Sequence, residues 1–287
     1  MFEVAIKELL DSGAYVGIPE SFNSYKARTG LSSKNIRTAS VLSVYGLKGL
    51  RKELLDSNCM IFRLGSPKGE SYTHFALAKT KNGWSDYFLI DENIFKKNHI
   101  SYDLGMSENI KLLFNFLPSL SETALVNFSL ASGVLYEALK IHKDEFKNII
   151  PAVSSGAYTF DFKPLSSSNR VLTHHQGQVE IDSFFLAKRN NRNTLFIVEA
   201  KLTNLNKKGR YVSLAKHKLL YPILAMENKI SDDIKVVPVY IRFILNKNNS
   251  FNINIVECDL PRIAGTFGAL DELKPLNSSN YLINLND

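Results

Sequence analysis

The pattern of apolar and polar positions divides the chain into a helical start, a short run of strands, a long apolar helix and a denser second run of strands. Phe2, Val4, Ala5, Leu9 and Leu10 give an amphipathic helix, and Gly13, Gly17 and Pro19 interrupt the segment after it. Residues 21–30 predict a short helix ending at Gly30, and 32–45 a second one opened by a serine cap. Another charged amphipathic helix covers 48–58. Alternation of period two then takes over at 59–64 and 72–79, joined by the turn GSPKGE. KNGW predicts a further hairpin turn into a strand at 85–91, with the single Trp84 beside it in the core.

The pattern loosens at 101–121, which sets the expected domain boundary: 1–120 and 121–287. Beyond it, 121–150 is helical, with Val134, Leu135, Ala138, Leu139, Ile141 and Phe146 on the buried stripe, a break at Gly133 and a stop at Pro151. A strand at 157–162 leads into THHQGQVEIDSFFLAKRNNRNTLFIVEAK. That stretch predicts two strands, 178–187 and 195–201, around an Asn-rich turn. A helix over 212–226 with a kink at Pro222 comes next, then strong strands at 234–245 and 251–259.

Composition narrows the class. The chain is 45% hydrophobic and 22% charged over 287 residues, which excludes a disordered chain. No apolar run approaches the roughly 18 residues of a membrane span, and the acidic amphipathic start lacks a signal-peptide layout. Cys59 and Cys258 stand far apart and read as free thiols in a reducing compartment, so a cytoplasmic location is expected. The net charge of +7 favours a polyanionic partner, and nine basic residues against Glu199 alone lie within 188–218.

The candidate chemistry sits in that same stretch. Side chains alternate along a strand, so Glu180 and Asp182 share a face, as do Glu199 and Lys201. A hairpin bridges the 17 positions from Asp182 to Glu199 (199 − 182) and can bring the two carboxylates together. A structural ion pair at a sheet edge fits this set. So does a site where paired carboxylates hold Mg2+ through oxygen while the lysine orients a water or stabilises developing charge.

The order Glu-Ile-Asp, hairpin, Glu-Ala-Lys resembles the PD-(D/E)XK nuclease superfamily, with Ile181 where the name-giving proline would stand. The resemblance implies an α/β fold with the αβββαβ restriction-endonuclease-like core, over roughly 121–259. It makes Asp182 and Glu199 the metal ligands and Lys201 the catalytic lysine, with Glu180 joining through a water. Glu137 would be the assisting acid on the first core helix, although a solvated surface residue fits it as well. The implied activity is Mg2+-dependent cleavage of duplex DNA, as in type II restriction enzymes, by a homodimer. Two alternatives stay open: a repair or defence nuclease on branched or single-stranded DNA, or a DNA-binding regulator on a nuclease-derived fold.

The first domain would be an α+β recognition domain. Helix, glycine turn, helix at 21–45 resembles a winged helix-turn-helix, with Lys34, Asn35 and Arg37 toward DNA; an ordinary helical hairpin has the same layout. Lys207, Lys208, Arg210, Lys216 and Lys218 are the expected phosphate contacts. His217 and Tyr221, four apart, share a helix face in the place where some branches of the family carry Gln-x-x-x-Tyr. His174 and His175 lack partners at zinc spacing and suit a DNA contact or a core role.

Overall fold

The computed structural model describes every residue except 32–35, 97, 104–111, 113–115, 117–119, 143, 146–147, 205–212, 247–249 and 285–287. The fold is mixed α/β, with a large, mostly antiparallel sheet and few helices. Its strands are β1 (Glu20–Ser21), β2 (Cys59–Gly65), β3 (His74–Lys79), β4 (Phe88–Ile90), β5 (Ile100–Tyr102), β6 (Ala152–Phe162) and β7 (Leu172–Arg189). They continue with β8 (Arg192–Asn204), β9 (Ser213–Ala215), β10 (Lys235–Leu245), β11 (Ser250–Asp259), β12 (Arg262–Ile263), β13 (Thr266–Phe267) and β14 (Lys274–Asn284). The main sheet runs β1-β3-β2-β7-β8-β10-β11-β14-β5, and β6 pairs with β7 off this path.

The β7–β8 hairpin closes on Asn190 and Asn191, both at positive φ (52° and 59°). This is the two-residue turn whose twist matches its strands, and asparagine tolerates it better than most residues. Past that turn β8 lies parallel to β10, with Tyr240 beside Glu199 and Arg242 beside Lys201.

Two hydrophobic cores cover the two faces of the sheet. Phe196, Val198 and Ala200 of β8 enter one, against α6 (Glu122–Ala131) and α7 (Val134–Ala138). The alternate Ile197 enters the other, against α8 (His217–Met226). Gly133, at φ 84°, breaks the helical run where the sequence predicts.

The N-terminal part belongs to this second core. It contains α1 (Glu3–Asp11), α2 (Phe22–Arg28), α3 (Thr38–Leu42), α4 (Lys52–Asp56) and α5 (Asp91–Ile94). Phe2, Phe22, Phe62 and Phe88 share one cluster with Phe162, Leu219 and Tyr240. Strand pairing also crosses the expected boundary near Leu120 three times: in the main sheet β2 meets β7 and β5 pairs β14, and in a separate two-stranded sheet β4 pairs β9. That boundary therefore separates no two cores.

Other expectations change locally. The helix expected to Tyr45 is the five-residue α3, after which Ser43, Val44 and Tyr45 run on as a loop. The strand after KNGW pairs with β9 rather than folding back on β3, because Asp86 accepts hydrogen bonds from the Lys81 and Asn82 amides and closes that loop on itself. Residues 213–215 are β9, so α8 starts later than the apolar pattern implies. No described helix is long and apolar enough to cross a membrane.

Candidate active site

The site forms where β7 and β8 part. Their ladder runs from the turn to Ser183 opposite Val198 and stops there. Beyond it β8 stays with β10 as far as Asn204, whereas β7 bends away to pair with β6 and to touch β2 through His175 and Gly65. The buried parity of β7 records the roll: Val179 and Ile181 feed the core under α8, but Phe185 and Ala187 feed the opposite one. A bulge in the β6 pairing near Ser154 accompanies the change. Asp182 and Glu199 are the first residues past the last rung.

Asp182 Oδ2 accepts a hydrogen bond from the Ala200 amide at 2.8 Å and lies 3.9 Å from Lys201 Nζ. Lys201 Nζ is 2.7 Å from Glu199 Oε1, and Lys218 Nζ, from the first turn of α8, is 3.8 Å from the same oxygen. Two carboxylates thus converge on one ammonium, and a second ammonium flanks them. Glu199 is only 2% exposed in its side chain, and burial pushes its carboxyl up to about 7 despite the attraction of Lys218 and Lys201. Burial opposes the charge on Lys201, yet Glu199, Asp182 and Glu122 together hold its ammonium above the usual lysine range.

Glu122 is an acid that the strand and helix patterns do not single out. It opens α6 behind the Ser121 cap, and its Oε1 lies 3.4 Å from the Leu202 amide, one residue beyond Lys201. Glu137, the acid expected on this helical run, sits on α7 and accepts from the Tyr281 hydroxyl at 3.4 Å. The break at Gly133 carries α7 toward β14 and away from the fork, so Glu137 does not join the site. Glu180 is exposed on β7 and faces a cleft beside the site rather than Lys201.

The basic residues separate. Lys34, Asn35, Lys207, Lys208 and Arg210 lie outside the described residues. Arg37 is exposed immediately before α3. Lys216 is 2% exposed, and burial lowers its amine to about 8, so it is a core residue and not a surface phosphate contact. Lys218 also lies over the Tyr45 ring at 5.4 Å.

His217 and Tyr221 do share a face, with ring centres 5.1 Å apart. His174 joins them 4.9 Å from Tyr221 and stacks on Phe160, so it is a wall of the core. Burial drives both imidazoles down, His174 to about 4 and His217 to about 3, and both are neutral at pH 7.

Among the described residues no group of three His, Cys, Asp or Glu side chains is placed to hold a metal ion. The donor set nonetheless suits Mg2+. Glu199 Oε1 is buried without an aligned hydrogen bond, and Asp182 supplies a second hard oxygen. Mg2+ is commonly held by one or two carboxylates, with water and substrate phosphate completing its shell.

No curated protein and no solved structure matches this chain. One family model matches residues 70–261, a span that includes the fork, α8 and both carboxylate-bearing strands. That span exceeds half of the chain, and the protein belongs to the family described as Domain of unknown function (DUF6997).

Proposed function

We propose that this protein is a Mg2+-dependent endonuclease of the PD-(D/E)XK type that hydrolyses phosphodiester bonds of duplex DNA in the manner of a type II restriction enzyme. The observation that carries the reading is the convergence of Asp182 and Glu199 on Lys201 where the sheet forks. The order α6–α7, β6, β7, β8, α8, β10, with the short β9 of the separate two-stranded sheet inserted before α8, supports an αβββαβ core.

Asp182 and Glu199 would hold the metal, and Mg2+, when bound, supplies the positive charge that polarises the scissile phosphate. Lys201 keeps its ammonium charged at the mouth of the fork, where it orients the attacking water and offsets charge developing on the phosphate. Lys218 adds a second cation on the α8 side, and Glu122 fixes the β8 backbone behind Lys201. Of the basic stretch, Lys207, Lys208, Arg210 and Lys218 would meet the DNA backbone, and cleavage of both strands needs two copies of the site, hence a homodimer.

The His217–Tyr221 pair beside the fork favours a second reading, a repair or defence nuclease on branched or single-stranded DNA. Digestion of supercoiled duplex, branched and single-stranded substrates with Mg2+ separates the two. Discrete duplex fragments support restriction-type cutting, and cutting confined to junctions or single strands supports the second. No Mg2+-dependent product on any of them contradicts both.

A further inference from the structure

A cleft of about 370 Å3 opens directly beside the fork, and the nuclease chemistry alone gives it no use. Glu180 and Lys218 belong to its wall, and Lys218 Nζ is the group 3.8 Å from Glu199, so cleft and carboxylates share a border. Its volume lies within the roughly 300–1,000 Å3 typical of small-ligand sites.

The lining is graded. The inner wall is aromatic and uncharged: Tyr221 stands between His217 and His174, and Phe62 lies edge-on to His217 at 6.3 Å. His217 Nδ1 is buried without a hydrogen-bond partner among the described residues. A neutral imidazole offers one donor and one acceptor, and the amide of Gln178, exposed along the cleft, offers both. The rim is aromatic and net cationic: Lys218, Arg63 and the 59% exposed Tyr45, set against the single carboxylate of the exposed Glu180. A ligand matched to this gradient is a flat, neutral, hydrogen-bonding ring inside, joined to an anion at the mouth. A nucleotide has that form, and its phosphate would lie toward the fork.

Resting on the nuclease reading above, we propose that the cleft is a base pocket, which receives a single unpaired nucleobase from the strand whose phosphate lies at Glu199 and Lys201. Extracting a base from the stack costs a few kcal/mol, least where the base is mismatched or already single-stranded. The pocket offsets this by contact with the aromatic lining of Phe62, Tyr221 and Tyr45 and by pairing with His217 and Gln178.

The test uses the full chain in EDTA, with the four deoxynucleoside 5′-monophosphates and, as a base-free control, 2-deoxyribose 5-phosphate. Saturation-transfer NMR reads which ligand protons touch the protein, independently of metal and of cleavage. At least one mononucleotide should bind with its base protons saturated more strongly than its sugar protons. Ser43→Trp, which fills the mouth from a half-buried loop position, should weaken that binding tenfold or more, as should Gln178→Ala. Glu137→Gln, whose carboxylate meets Tyr281 outside both the cleft and the fork, should leave it unchanged. Binding of the base-free control as tightly as any nucleotide would overturn the proposal, as would binding indifferent to Ser43→Trp or no nucleotide binding at all. A protein that binds nucleotides this way but cuts no DNA would refute the nuclease reading and leave the pocket standing.

Discussion

Asp182 Oδ2 accepts a hydrogen bond from the Ala200 amide at 2.8 Å, joining β7 to β8 one step past their last backbone rung. The same oxygen lies 3.9 Å from the Lys201 ammonium. One side chain therefore holds the fork together and faces the ammonium. Replacing it removes both functions, so Asp182→Ala should also lower stability by about 1 kcal/mol, the usual net worth of such a bond. Urea unfolding of the variant beside wild type measures the loss, and equal stability would mean that the Ala200 bond does not hold the fork.

Glu122 and Glu137 give a paired comparison. Glu122→Gln keeps an acceptor for the Leu202 amide and removes a negative charge that supports the Lys201 ammonium. It should reduce Mg2+-dependent cleavage roughly tenfold or more, as loss of supporting groups around metal sites does. Glu137→Gln should leave the rate nearly unchanged, because its carboxylate meets Tyr281 and not the fork. Initial rates on one plasmid substrate decide between them, and equal losses would return Glu137 to the site.

Gly65 is the point where the N-terminal strands join β7. Its φ is 72°, and a Cβ there would lie 2.0 Å from the His175 carbonyl oxygen. Backbone cannot retreat as a flexible side chain can, so Gly65→Ala should cost about 1–3 kcal/mol in thermal or urea unfolding. Wild-type stability would mean that β2 and β7 are not joined there.

His174 supplies a pH test of the packing. Its folded-state pKa is depressed by burial from 6.5 to about 4, so below pH 6.5 the unfolded chain gains a proton that the folded chain refuses. Its contribution is fully present above pH 6.5 and is lost as pH falls toward 4. His217, depressed likewise, adds to that loss, whereas Glu199 and Asp91, raised to about 7 and about 6, act in the opposite sense. All three are common to wild type and His174→Phe, so their effects cancel in the difference. Relative to wild type, the variant should gain about 1.4 kcal/mol per pH unit as pH falls from 6.5 to about 4. A difference that stays flat with pH would mean that His174 is solvated.

The fork is legible in the sequence because its signals are local. Asn190–Asn191 fixes the hairpin, the hairpin fixes its register, and register fixes which carboxylates meet. Gly133 and the apolar strands β10 and β11 are readable for the same reason. The features that stay hidden depend on distant partners. Ser213–Ala215 looks like the start of α8 and becomes a strand only because Phe88–Ile90 pairs with it. Lys216 belongs to a basic run, and only its position at the start of a buried helix takes it out of solvent. Glu122 and Glu137 are equivalent in the helical pattern; the break between α6 and α7 decides which one reaches β8.

The most direct test of the central claim is cleavage of a long, unmethylated duplex DNA of mixed sequence by wild type, Asp182→Ala and Lys201→Ala, with DNA binding measured in parallel in Ca2+. Wild type should cut with Mg2+ and not with a chelator. Both variants should lose cleavage while remaining folded and keeping near-wild-type DNA affinity. Undiminished cutting by Asp182→Ala, or no Mg2+-dependent cutting by wild type, would contradict the assignment of Asp182, Glu199 and Lys201 as a nuclease site.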